Sequence, residues 1–120
     1  MDLHPARTGS AVVLAPVGRI DHTHADAFKQ SLDPWLGECT RDGAAIVIDF
    51  SGVTYISSIG LRALMVAAKQ AKAQGGRIVL AALTPLVLEV FRISRFDLVF
   101  EIFADRAAAL DALGPQRVPV

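Results

Sequence analysis

Two adjacent serines, Ser57 and Ser58, followed by Ile59-Gly60-Leu61-Arg62, are the residues with the most chemical promise in this chain. They come just after the apolar run Ile46-Val47-Ile48-Asp49-Phe50 and a polar turn, and they head a helical pattern. A hydroxyl in that position can serve as a nucleophile, a helix cap or a site of covalent modification, and each role demands different neighbours. A hydrolase elbow needs glycine two residues before and two after its serine. For Ser58, Gly60 meets the second condition, but Ile56 stands at the first. The nucleophile also needs a base, normally a histidine. His4, His22 and His24 all precede the serines, against the chain order of that fold. A serine hydrolase is therefore a discounted alternative, which an ester-substrate assay would settle.

Other reactive constellations fare no better. His22 and His24 form a single spaced pair with no cysteine nearby, short of a metal-ligand set. Gly75-Gly76 lacks the lysine and spacing of a P-loop, and no Gly-x-Gly-x-x-Gly occurs. No catalytic residue, metal or cofactor is expected. What remains is a serine pair at a helix mouth. One hydroxyl there can accept from a free backbone N–H and stabilise the helix start by about 1 kcal/mol. The other reading is a covalent switch: free amides and the helix dipole tolerate a phosphate, which adds about −1.5 to −2 charge and would repel a partner seated on a neutral surface. The two readings are compatible.

The elements that must position these serines follow from periodicity. Residues 1–10 can carry a short edge strand with Thr8-Gly9-Ser10 as a turn, and Ala11 to Val17 reads as a covered strand closed by Gly18. Asp21 to Asp26 reads as a helix start, with Thr23 and Asp26 spaced as a capping box. Ala25, Phe28, Leu32 and Trp35-Leu36 give that helix one apolar face, and Pro34 leaves its end open. Ala44 to Phe50 is a strand buried on both sides, Ser51 to Ile56 a link, and Ser58 to Gln74 a helix stopped by Gly75-Gly76. Arg77 to Leu83 is the next buried strand, so the strand–helix–strand unit is expected parallel and right-handed. Thr84-Pro85 opens a helix with a capping hydroxyl and proline at its first position. Its apolar arc over Leu86 to Ile93 spans about 220°, wider than one buried face needs. Leu98 to Phe103 reads as a final strand, Asp105 to Leu113 as a closing helix, and residues 114–120 as a flexible tail.

Composition bounds the class. A 120-residue chain fits one domain, and 52% hydrophobic against 20% charged residues argues for a filled core. Lys plus Arg equal Asp plus Glu at 12 each, so no basic excess points to direct nucleic-acid binding. The single Cys39 fits a reducing compartment. Met1-Asp2-Leu3-His4-Pro5 does not read as a leader, and Ile78 to Phe91 is too interrupted for a membrane span. A soluble, cytoplasmic protein that is not inserted in a membrane is expected.

With these residues in view, the chain resembles the STAS family, the domain shared by sulphate transporters and bacterial anti-sigma factor antagonists. Gly18-Arg19-Ile20-Asp21 is similar to the family segment before its first helix. Ile48-Asp49-Phe50-Ser51, followed after a short turn by Ser57-Ser58-Ile59-Gly60-Leu61, resembles its signature. Val90-Phe91-Arg92-Ile93 and Phe96 to Phe100 resemble its third helix and last strand. The chain departs from the family at two positions: Ser57 replaces the acidic residue before the acceptor, and Ile59 the hydroxyl residue after it.

The resemblance implies an α/β STAS-like single domain over residues 1–113, with a mixed central sheet of four or five strands flanked by about four helices. It implies a non-enzymatic anti-sigma factor antagonist. Phosphorylation would fall on Ser58, with Ser57 as the alternative. The partner would be an anti-sigma factor that is itself a serine-protein kinase, with a serine phosphatase to reverse the step. Asp21, His22, Thr23, Ser57, Ser58, Ile59, Gly60, Leu61 and Arg62 are the expected partner-binding residues. A homodimer through the Leu86–Ile93 helix is a further expectation. The alternative is a non-phosphorylated STAS adaptor subunit of a transporter or sensory complex.

Overall fold

In the computed structural model, which describes residues 1–114, the elements run β1 (Ala6–Thr8), β2 (Ala11–Leu14), β3 (Gly18–Ile20), α1 (Ala25–Glu38), β4 (Ala45–Asp49), β5 (Val53–Ile56), α2 (Ser58–Ala73), β6 (Ile78–Ala81), α3 (Pro85–Ile93), β7 (Ile102–Phe103) and α4 (Arg106–Ala112). A five-stranded mixed sheet has the order β1-β2-β4-β6-β7, parallel except for the edge hairpin β1–β2. This is the expected α/β architecture with four helices. Residues 115–120 of the expected tail lie outside the described residues.

The apolar runs are continuous because both faces of the sheet are covered. Val12, Leu14, Ile46, Ile48, Ile78 and Leu80 point into one large core with α1, α2 and α3. The intervening Val13, Val47, Val79 and Ala81 pack under Ala109 of α4. α4 is also tethered by charge. Asp49 Oδ2 accepts from Arg106 Nε at 3.1 Å and Nη2 at 2.9 Å, and Oδ1 accepts from the Ser51 amide at 2.8 Å. Burial would raise the Asp49 pKa, but the Ser51 and Arg106 donors outweigh it and hold the carboxyl below its ordinary value.

Several expectations are corrected. Residues 51–56 are not merely a link: Val53–Ile56 is a strand, paired in parallel with β3 in a separate two-stranded sheet. The expected Ala11–Val17 strand ends at Leu14, and Gly18, with φ of 97°, restarts the chain in the second sheet. The expected Leu98–Phe103 strand shrinks to Ile102–Phe103, because Phe96–Leu98 forms a 3-10 turn. α1 continues through Pro34, whose position on an exposed face leaves Leu32 and Leu36 free to pack. Thr84 does precede Pro85 at the start of α3, but its hydroxyl donates to Val53 O at 3.3 Å instead of capping.

The Gly75-Gly76 stop is confirmed in detail. The Gly75 amide donates to Lys72 O and the Gly76 amide to Ala71 O, a Schellman closure requiring the positive φ of Gly75. Gln74 Nε2 also donates to Leu36 O and Cys39 O, closing the end of α1 against the end of α2.

Phe91 of α3 is fully buried and stands edge-on to both Phe50 and Phe100, with centroids 6.1 and 6.0 Å away. It joins the end of β4 to the chain after the 3-10 turn. Phe91→Ala is expected to cost about 3–5 kcal/mol in urea unfolding; a loss below about 1 kcal/mol would mean the ring is not central to this core.

Candidate functional site: the mouth of helix α2

The second, small sheet builds the site. Its register pairs Arg19 with Tyr55 and Ile20 with Ile56, so the two strands finish side by side. Asp21 follows one strand and Ser57 the other. The Ser57 amide donates to Ile20 O at 2.9 Å, continuing the ladder into the first residue before α2. Two segments far apart in sequence, residues 21–23 and 57–62, thereby share one end of the molecule.

The serine pair divides its labour. Ser57 is the N-cap of α2, extended in backbone, and its Oγ accepts from the Gly60 amide at 3.1 Å. The Leu61 amide donates to Ser57 O at 2.8 Å, the first helical bond. Ser58 occupies the first helical position and is exposed. Its hydroxyl has no hydrogen-bond partner among the described residues. The amides of Ser58 and Ile59 precede the first helical bond, so the helix leaves them without an acceptor.

Gly60 explains how closely this helix sits on the strand. A Cβ there would lie 2.6 Å from Ile20 O and 3.0 Å from both Ile20 Cγ2 and Ile56 Cγ1. Any side chain would push α2 off β3. Leu61 is also buried, so Gly60 and Leu61, grouped with the partner-contacting residues on sequence grounds, seat the helix from beneath. His22, Thr23, Ser58, Ile59 and Arg62 are exposed around them, with Ile59 showing 52% of its surface.

The opposite lip is an ordered polar turn. Asp21 Oδ1 accepts from the Thr23 amide at 3.0 Å, Thr23 Oγ1 at 2.7 Å and His24 Nδ1 at 2.7 Å. The Thr23 hydroxyl and then His24 hold the Asp21 carboxyl far below the usual carboxylate range. This corrects the expected capping box: the Thr23 hydroxyl turns back to Asp21, and α1 has His24 as an N-cap with no side-chain bond. Arg19, unforeseen from sequence, stacks over Tyr55 at 4.6 Å from the ring centroid and reaches Asp21 Oδ2 at 3.4 Å. The signal available was the β-branched and aromatic composition of Val53-Thr54-Tyr55-Ile56, which favours a strand but does not name its partner. Ser58 also opens onto a groove of about 380 Å³ lined by Arg62, Met65, Lys69, Ser94 and Phe96.

A family model described as "Mlab, STAS domain" matches residues 3–101. The chain belongs to the STAS domain family. This STAS protein is 43% identical over 95 residues to BtrV of Bordetella bronchiseptica, named as a candidate anti-sigma factor antagonist; the match covers 79% of each chain. Its fold is similar to an anti-sigma-factor antagonist (STAS) domain protein from Planctomyces limnophilus, with a TM-score of 0.84, 19% identity, and 94% of this chain and 98% of that one covered. It is also similar to the Bacillus cell fate determinant SpoIIAA at 19% identity. The TM-score is 0.74 to its unphosphorylated form, over 92% of this chain and 94% of that one, and 0.67 to its phosphorylated form, over 92% and 97%. No helix among the described residues of this STAS domain is long and apolar enough to cross a membrane.

The division of labour between the serines has a measurable consequence. Ser57→Ala is expected to lower stability by about 1 kcal/mol in chemical denaturation, while Ser58→Ala changes it by less than about 0.5 kcal/mol. The reverse order would show that Ser58 is the cap, and equal losses that the two serines share the role.

Proposed function

We propose that this STAS domain is an anti-sigma factor antagonist, released from its partner by phosphorylation of Ser58. The observation that carries the reading is the free Ser58 hydroxyl beside the capping Ser57. Support also comes from BtrV, by its name and 43% identity, and from SpoIIAA, a similar fold known in both phosphorylated and unphosphorylated forms. The unmodified face around Ser58, with Asp21, His22, Thr23, Ser57, Ile59 and Arg62, binds an anti-sigma factor and so frees a sigma factor. The chain is a substrate rather than an enzyme. Its Ser58 Oγ attacks the γ-phosphorus of ATP held by a partner serine kinase, the bond to the β-phosphate oxygen breaks, ADP leaves, and the hydroxyl proton passes to a base on the kinase. A phosphatase reverses the step by hydrolysis. The modified residue remains compatible with the fold because the open amides of α2 accept an anion. Its added charge, about −1.5 to −2, acts on the partner instead.

A second reading, a STAS adaptor that is never phosphorylated, is favoured by α3: Leu86 and Ile93 stand 56% and 74% exposed, while Val87 and Phe91 of the same helix are buried.

Co-expression with the anti-sigma kinase of the same genome tests the leading reading. Tandem mass spectrometry is expected to find phosphate on Ser58; Ser58→Ala is expected to stay bound, and Ser58→Asp to weaken binding by about 2 kcal/mol or more, roughly thirtyfold. Phosphate only at other residues, or undiminished binding by Ser58→Asp, overturns it. Co-purification of an unmodified chain with a transport ATPase would establish the adaptor.

A further inference from the structure

The groove that opens at Ser58 does not end there. Met65 and Lys69 line both it and a second groove of about 370 Å³ that extends to Lys72, Val99 and Phe100. From Ser58 to Lys72 the two adjoining grooves, which share Met65 and Lys69 as walls, form a trough along α2 of about 21 Å, the length of roughly four helical turns. Two physical features define what fits it. One is exposed apolar surface in each groove: Val66 on α2, 48% exposed, lines the first with Phe96, and Val99, 54% exposed, lines the second, with Met65 common to both. The other is charge. α2 carries Arg62, Lys69 and Lys72 and no acidic residue in its entire length. None of these three cations makes an ion pair among the described residues. The acidic side chain on the lining, Glu101, is already committed to Arg77, with contacts of 2.9 and 2.5 Å.

We infer that this trough is a docking surface for an amphipathic helix of the partner protein, apolar on the buried face and acidic along its rim. An apolar stripe at helical spacing would settle over Met65, Val66 and Val99, while Asp or Glu side chains beside it would meet Arg62, Lys69 and Lys72. The trough opens at Ser58, so a phosphate there stands at its mouth and repels an acidic occupant as well as the partner surface over the loop. This coupling rests on the reading of Ser58 as the switch; the docking surface does not.

The test uses the isotope-labelled full chain and two synthetic helical peptides of about 14 residues. Both have a leucine face; one is rimmed with glutamate, the other with lysine. The acidic peptide is expected to shift the amides of Met65, Lys69 and Val99 and to bind at least tenfold more tightly than the basic one. Lys69→Glu with Lys72→Glu, both exposed substitutions, is expected to weaken the acidic peptide about tenfold and to favour the basic one. Screening by salt should reduce the difference. Absence of shifts, equal binding of both peptides, or an unaltered preference in the charge-reversed variant overturns the inference. So does self-association through the same residues, or binding of phosphatidylglycerol vesicles in place of the acidic peptide. If the acidic peptide fails while Ser58→Asp still releases the anti-sigma factor, the trough falls and the Ser58 switch stands.

Discussion

The arrangement at the functional end depends on one close approach, that of the first turn of α2 to the backbone of Ile20. The carbonyl of Ile20 takes the Ser57 amide, and Gly60 leaves room for the same carbonyl where a Cβ would stand 2.6 Å away. This contact welds the short β3–β5 sheet to the long helix. It makes Ser57 the last residue of a strand ladder and the cap of a helix at once. With both backbone groups and the hydroxyl of Ser57 occupied, the next residue is left with an exposed, unbonded side chain on a rigid support. A larger residue at Gly60 would disturb strand pairing, cap and serine together.

The surrounding chemistry is distributed in keeping with that support. Asp21 spends one carboxylate oxygen on three donors of its own turn, and Arg19 is drawn between Asp21 and the Tyr55 ring. These groups make a preorganised lip with little to rearrange. Beyond Ser58, by contrast, α2 offers cations that form no ion pair among the described residues, and partly exposed apolar side chains. A phosphate between the two regions would change the electrostatics of a surface whose backbone is already held from below.

Much of this was legible because the informative signals are local or periodic. Residues 44–50 and 77–83 read as buried strands because helices cover both faces of the sheet, and Gly75-Gly76 read as a stop because a Schellman closure needs positive φ. The helix-mouth position of Ser58 followed in the same way. Pairing between distant short segments was not legible. Val53–Ile56 is only four residues long and takes its identity as a strand from Gly18–Ile20. Hydroxyl choices were also misjudged: Thr23 and Thr84 stand where caps belong, but each finds a better-placed acceptor, Asp21 and Val53 O. Sequence left open which of the two serines caps the helix, and the Ser57–Gly60 bond assigns the cap to Ser57. The groove could not be read at all, since it joins Ser58 to Ser94 and Phe96 across the fold.

On the proposed function, a phosphate on Ser58 leaves the fold intact because the cap of α2 is Ser57 and not Ser58. The most direct measurement is denaturant unfolding, with amide-shift mapping, of protein carrying a full complement of genetically encoded phosphoserine at position 58. Stability within about 0.5 kcal/mol of the unmodified chain, with shifts confined to residues 57–62 and their neighbours on β3, is the result expected. A loss above about 2 kcal/mol, or shifts spread through α1 and the main sheet, would contradict the account, because the hydroxyl would then be part of what holds the domain together.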